Sequence, residues 1–147
     1  MSMAEKTLKV LVVSAEREVW NGDAHQIMAR TTEGEIGILP GHEPFLGVLA
    51  PCAVEVFAVD GNREVVAVDG GFISVEPGRH VSVLSEFAKL GHEITLEEAE
   101  KELYKAREEL ESAANEGFTN RDPELEVRYE RASAQVRAAR RHQEITG

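Results

Sequence analysis

The chain has 147 residues, with 27 acidic against 16 basic side chains, a net charge of −11 and 42% hydrophobic content. That length suits one compact domain or two small ones. The acidic balance argues against a nucleic-acid partner, which needs clustered bases to neutralise phosphates. No window holds the ~18 apolar residues of a bilayer span. Met1 to Lys6 lack a basic region leading into an apolar one, so no signal peptide is expected. Cys52 is the single cysteine, which rules out an internal disulfide and points to a reducing compartment; it reads as a small buried apolar residue.

The chain changes character near residue 91. Nine of its 12 glycines and four of its five prolines lie in residues 1–90, as do most Val and Ile residues, whereas residues 95–147 are rich in Ala, Glu and Arg. The first half therefore predicts short strands with frequent turns, and the second predicts helices. In chain order, strands are expected at Leu8–Val13, Gln26–Thr31, Ala53–Val59, Arg63–Val68, Phe72–Glu76 and His80–Glu86. Asp60-Gly61-Asn62 and Pro77-Gly78 read as hairpin turns, and Asp69-Gly70-Gly71 as a tight turn. Ile73 and Val75 alternate with Ser74 and Glu76, and Val81 and Val83 with His80 and Ser82, as in antiparallel strands with one wet face. Turn signals every 8–12 residues predict a sandwich or flattened barrel.

In the second half, Thr95-Leu96-Glu97-Glu98 has the form of a capping box. Leu96, Ala99, Leu103, Ala106, Leu110 and Ala113 follow at spacings of 3 and 4, an a/d seam. Gly117 is expected to end this helix, and Asp122-Pro123 to start another. The second seam is Leu125, Tyr129, Ala132, Val136 and Ala139. Residues 93–116 hold nine acids and three bases, while residues 117–147 hold five acids and six arginines. An acidic helix folded against an arginine-rich one gives complementary flanks. Arg137, Arg140 and Arg141 also suit the negative C-terminal end of a helix. Leu and Ala seams bury modest apolar area, so the expectation is a marginal hairpin leaning on the sandwich or on a partner.

No catalytic constellation is present. The five histidines show no metal-ligand spacing, no glycine-rich run ends in Gly-Lys-Ser/Thr, and no Gly-x-Ser-x-Gly elbow exists. Neither catalytic residues nor a metal or cofactor is expected. What remains is Thr31–Leu46, "TTEGEIGILPGHEPFL", in which Ile36, Ile38 and Leu39 sit beside Glu33, Glu35, His42 and Glu43. It fits a strand with a proline-stiffened loop capping the sandwich. It fits equally a docking edge, since rigid loops lose little entropy on binding.

"VVSAEREVWNGDAHQIMARTTEGEIGILPGHEPFLGVLAP", above all Glu33 to Pro44, resembles the N-terminal signature of the epsilon subunits of bacterial F-type ATP synthases. "AVDGGFISVEPGRHVSVLSE" resembles the second signature of that family. The resemblance runs from about Leu8 to the last helix. It implies an α+β fold: an N-terminal antiparallel β-sandwich of about ten strands, over residues 1–90, and a C-terminal antiparallel two-helix hairpin, over 91–147. It also implies a non-catalytic subunit of the central stalk, bound to the gamma subunit and the membrane c-ring. Such a subunit couples proton translocation to ATP synthesis, and its hairpin restrains ATP hydrolysis when it extends into the catalytic alpha and beta subunits.

Carried over by position, the resemblance places Gly34, Glu35, Ile36, Gly37 and His42 at the c-ring. Arg128, Arg131, Arg137 and Arg140 would meet acidic segments of the catalytic head. The compartment implied is the cytoplasmic side of a bacterial plasma membrane, reached through partner subunits; a plastid origin stays open. The sequence departs from the family's ATP-binding motif, Ile-Asp-x-x-Arg-Ala: Ile94-Thr95-Leu96-Glu97-Glu98-Ala99 has Thr95 for the Asp and Glu98 for the Arg. An anion where a polyphosphate needs a cation reverses the interaction, so no tight ATP binding is expected. The alternative reading is a free-standing interaction module presenting a helical hairpin to another large complex. An enzyme using Cys52 as nucleophile is a third class, against which stands the absence of a neighbouring histidine in sequence.

Overall fold

The computed structural model describes residues 7–77, 79–115 and 123–147. Nine strands lead into two helices: β1 Leu8–Val13, β2 Glu18–Thr31, β3 Gly34–Ile38, β4 Phe45–Leu49, β5 Cys52–Ala58, β6 Arg63–Val68, β7 Gly71–Glu76, β8 His80–Leu84, β9 Ala88–Leu90, α1 Leu96–Asn115 and α2 Pro123–Thr146. A 3-10 turn, Gly91–Glu93, joins the two parts. Against the about ten strands expected, nine lie among the described residues. Met1 to Lys6, Gly78, Gly117 and Asp122 lie outside them, and with them the expected helix stop and the second N-cap.

The sandwich is built around β2, which is twice the length its apolar run suggested, because its first half, Glu18–Ala24, pairs with β1. Its second half pairs with β5 on one side and β3 on the other. A register shift between Ala24 and Gln26 marks where the strand turns from one layer to the next. The order β1-β8-β7-β4-β2 closes on itself, since β1 also pairs with β2, and β5, β6 and β9 extend from β2. The pairings are antiparallel except β1 with β8, which run parallel in register Lys9↔His80 to Val13↔Leu84. Far-separated strands have chain enough to return in the same direction, so the antiparallel expectation fails at this one ladder.

Period-2 alternation sends Val10, Val12, Ile73, Val75, Val81 and Val83 into one core with Ile27, Ile38, Val54 and Val56. Cys52 belongs to that core; its thiol lies 3.8 Å from the Arg30 carbonyl, and burial pushes its pKa up, as suits an inert core residue. The Asp69-Gly70-Gly71 turn forms as read. Gly71 sits at φ +111°, where an added Cβ would stand 2.0 Å from the Leu84 carbonyl oxygen, so no other residue fits. Two strands were not legible as such. β4 follows Pro44 directly and carries Leu46 and Val48 outward, and β9 is only three residues long.

Helix α2 lies on β5 and β6 of the sandwich, and α1 packs against α2. The α1 seam half-buries Leu96, Leu103 and Leu110 and fully buries Ala99 and Ala106, and the α2 seam buries Ala132, Val136 and Ala139. Arg128 to Glu109 at 2.7 Å and Arg140 to Glu100 at 3.2 Å join the flanks, as the charge pattern predicts. The second face of α2, Ala134 and Ala138, packs on Val65 and Ala67 of β6, with Ala53, Phe87, Ile94 and Ile145 around them. Two expectations are corrected. No side-chain hydrogen bond joins Thr95 and Glu98 among the described residues; the helix starts with the Thr95 carbonyl accepting from the Ala99 amide. The last turn of α2 carries no base, because the helix runs on to Thr146 and leaves Arg137, Arg140 and Arg141 short of its end.

Candidate functional site

The stretch Thr31–Leu46 becomes a hairpin, an edge strand and a turn. Thr31 tightens the β2–β3 hairpin: its hydroxyl donates to the Gly34 carbonyl at 2.9 Å and accepts from the Glu33 amide at 3.1 Å. β3 is paired only on its β2 side, and it is short, as exposed edges usually are. Ile38 is fully buried and Ile36 half-buried, which anchors one face of the strand in the core. Gly34, Glu35 and Gly37 are exposed. Glu35 pairs across the ladder with Arg30 at 3.2 Å, and its side chain stays 70% exposed.

Beyond β3 the chain turns at Leu39-Pro40-Gly41-His42, closed by the His42 amide donating to the Leu39 carbonyl at 3.0 Å. The His42 ring is half-buried, with Nδ1 2.7 Å from the Glu43 carbonyl and an edge-on packing against Phe45 at 6.0 Å. Glu35 thus sits on β3 and His42 in the turn beyond it, and no hydrogen bond or ion pair joins them. What they share is a segment anchored to the core by Ile36, Ile38 and Phe45, while Leu39 stays 55% exposed.

The four arginines singled out on α2 are not equally free. Arg128 and Arg140 are tied to α1, and Arg131 is tied to the sandwich, where its Nε donates to Asp69 Oδ2 at 2.6 Å. Arg137 is exposed and shows no ion pair among the described residues. Sequence reading gave Arg141 only to the helix end and missed its partner: it donates to Glu55, the carboxylate that also accepts from Arg63 at 2.8 Å. Burial alone would raise the pKa of Glu55, but the hydrogen bonds from Arg141 and Arg63 outweigh it and hold the carboxyl below the usual 4.5. Asp69 is the most enclosed of these carboxylates, 9% exposed; its other oxygen accepts from the Ser85 hydroxyl at 3.1 Å and the Phe87 amide at 3.3 Å. One signal pointed here. Val65-Val66-Ala67-Val68 does not alternate, and a run buried on both faces needs cover on its outer side.

No group of His, Cys, Asp and Glu suited to a metal occurs among the described residues, and none of their helices is long and apolar enough to cross a membrane. Residues 7–91 match the family model of the ATP synthase delta/epsilon chain β-sandwich domain. The ATP synthase epsilon chain of Cutibacterium acnes is 45% identical over 143 residues, covering 94% of this chain and 95% of that one. That of Streptomyces coelicolor is 42% identical over 126 residues, covering 86% and 95%. A chain of the Euglena gracilis mitochondrial ATP synthase, in a structure of its OSCP/F1/c-ring, shares the fold at a TM-score of 0.70 and 24% identity, over 93% of this chain and 81% of that one. The sandwich, the two helices behind it and these relatives lead to one assignment: the chain belongs to the ATP synthase epsilon-chain family, a non-catalytic subunit of that complex.

Proposed function

We propose that the chain is a rotor subunit of the central stalk, coupling proton flow through the membrane ring to ATP synthesis in the catalytic head. Residues 1–90 form the part that binds the gamma subunit and the c-ring, and residues 91–147 the regulatory part. The observation that carries this reading is the β3 segment. It is a core-anchored edge with Gly34, Glu35 and Gly37 exposed along it and His42 in the turn beyond it. A contact that transmits torque requires stiffness, and Ile36 supplies it from the inner face. In this reading Gly34, Glu35, Ile36, Gly37 and His42 form the c-ring contact on the cytoplasmic side of the bacterial plasma membrane.

The hairpin restrains ATP hydrolysis when it leaves the sandwich, presenting Arg128, Arg131, Arg137 and Arg140 to the alpha and beta subunits. Support comes from the carboxylate partners that three of them already hold, Arg128 and Arg140 on α1 and Arg131 on the sandwich. Thr95 and Glu98 at the start of α1 keep the reading free of a tight ATP site, because Glu98 would repel a polyphosphate. Glu35→Lys together with His42→Ala tests the ring contact in the assembled, membrane-bound complex. The expected result is normal ATP hydrolysis with proton pumping per ATP reduced severalfold. Unchanged pumping and assembly would reduce the β3 segment to a structural turn.

A further inference from the structure

α2 has two faces. The seam toward α1 is the one its heptads predict. The second face places Arg131, Ala134, Ala138 and Arg141 at spacings of 3, 4 and 3, and it rests on the sandwich. Ala134 and Ala138 are fully buried there but supply only methyl groups. The two arginines stand at the ends of this strip, ten residues apart, or ~15 Å along the helix. Each meets a largely buried carboxylate of the sandwich: Asp69 is 9% and Glu55 16% exposed.

Asp69 is held in place before the helix arrives. It follows β6, and one of its oxygens accepts from the Phe87 amide and shares the single Ser85 hydroxyl proton with the Phe87 carbonyl, 2.7 Å from that hydroxyl, leaving the other for Arg131. The Arg131 guanidinium also stands over the Phe87 ring, 5.4 Å from its centroid. A fixed acceptor costs little to organise when the arginine binds. An enclosed carboxylate that loses its cation is left poorly compensated. The docked state therefore depends on Arg131, and any other use of that guanidinium must first break this contact.

We infer that Asp69 is the latch of the hairpin: it competes with the catalytic head for Arg131, so that docking on the sandwich and engagement of the head exclude one another, with Glu55 and Arg141 as the second clasp. This rests on the proposed inhibitory role of the hairpin and adds how the choice between its two positions is set. It requires that a partner of the free helix offer what the sandwich offers, acidic groups ~15 Å apart beside a shallow apolar strip.

The test uses Asp69→Asn and Arg131→Gln in the full-length chain. Asparagine keeps an oxygen for Ser85 and Phe87 while losing the charge; Arg131 lies on a helix surface, so its replacement leaves the sandwich intact. Spin labels at Glu16→Cys and Glu130→Cys report docking, since Glu16 and Arg131 border the same cleft and Cys52 is buried. Both substitutions are expected to raise the open-to-docked ratio roughly tenfold. In the assembled complex, Asp69→Asn is expected to deepen inhibition of ATP hydrolysis, and Arg131→Gln to leave it no deeper than in the unsubstituted complex.

An unchanged label distance in both variants overturns the latch. Opening without deeper inhibition by Asp69→Asn, or equal inhibition by both variants, overturns the competition for Arg131. Deleting residues 91–147 in the same assay shows separately whether the inhibitory reading fails.

Discussion

The sandwich core and the surface between sandwich and hairpin are built on different principles within one chain. The core interlocks Val, Ile and Leu from all nine strands, with Val12, Ile27, Ile38, Val54, Val66 and Ile73 at 0% exposure. The hairpin interface sets alanines against Val65 and Ala67 and takes its orientation from two ion pairs. Apolar area stabilises in proportion to what leaves water, while ion pairs at a half-open surface weaken as salt rises. One region is made to stay folded; in the proposed reading the other comes apart without unfolding the first.

The contrast breaks most visibly in the core. Ile73→Ala removes three carbons from a site with no solvent access and is expected to cost about 2–5 kcal/mol. Thermal melting should show the strands losing stability while the helices lose it only as a consequence. Ala138→Leu overfills the interface instead. It is expected to destabilise docking by about 1–3 kcal/mol, with the melting of the sandwich nearly unchanged. Gly91→Ala acts at the same place more gently. Its Cβ would stand 3.0 Å from the Ala138 carbonyl and 3.2 Å from the His142 Cβ, so the 3-10 turn and α2 must part slightly. Faster amide exchange in Ala132–Ala139, with exchange in β1 and β8 unaltered, is the expected sign.

Much of this was legible beforehand because it is local. Val10, Ile73, Val81 and their polar neighbours alternate at the strand period, and Leu96 to Ala113 repeat at the helix period. The two signatures around Glu33–Pro44 and Ala67–Glu86 identified the family, and with it the order of the parts. What stayed hidden is non-local. Nothing near Asp69 names Arg131 as its partner, 62 residues away, and nothing near Glu55 names Arg141. β4 was missed because Pro44 reads as loop punctuation, although β7 supplies its ladder from Phe45↔Val75 to Leu49↔Gly71. The parallel ladder of β1 with β8 depends on the closure of the barrel and leaves no mark in either strand. Glu35 and His42 are close in sequence, yet Glu35 pairs with Arg30 and His42 packs on Phe45.

Two milder perturbations sharpen the comparison. Raising ionic strength from about 0.1 to 1 M shortens the screening length from ~10 to ~3 Å, which should open the hairpin measurably and leave the strand core intact. Acid acts through Glu55. Its carboxyl is held below 4.5 when docked, so the stabilisation it lends is fully present above that pH and is lost as pH falls through the depressed value. Label distances between α2 and the sandwich should therefore lengthen only below about pH 4.5, and Glu55→Gln should flatten that acid limb.

The claim that the two regions serve a rotor and its brake is tested most directly by deleting residues 91–147 from the purified ATP synthase complex and measuring ATP hydrolysis at low and high ATP alongside proton pumping. The account predicts faster hydrolysis with pumping per ATP retained, because the sandwich stays on the rotor while the brake is gone. Hydrolysis unchanged at both ATP concentrations would contradict it.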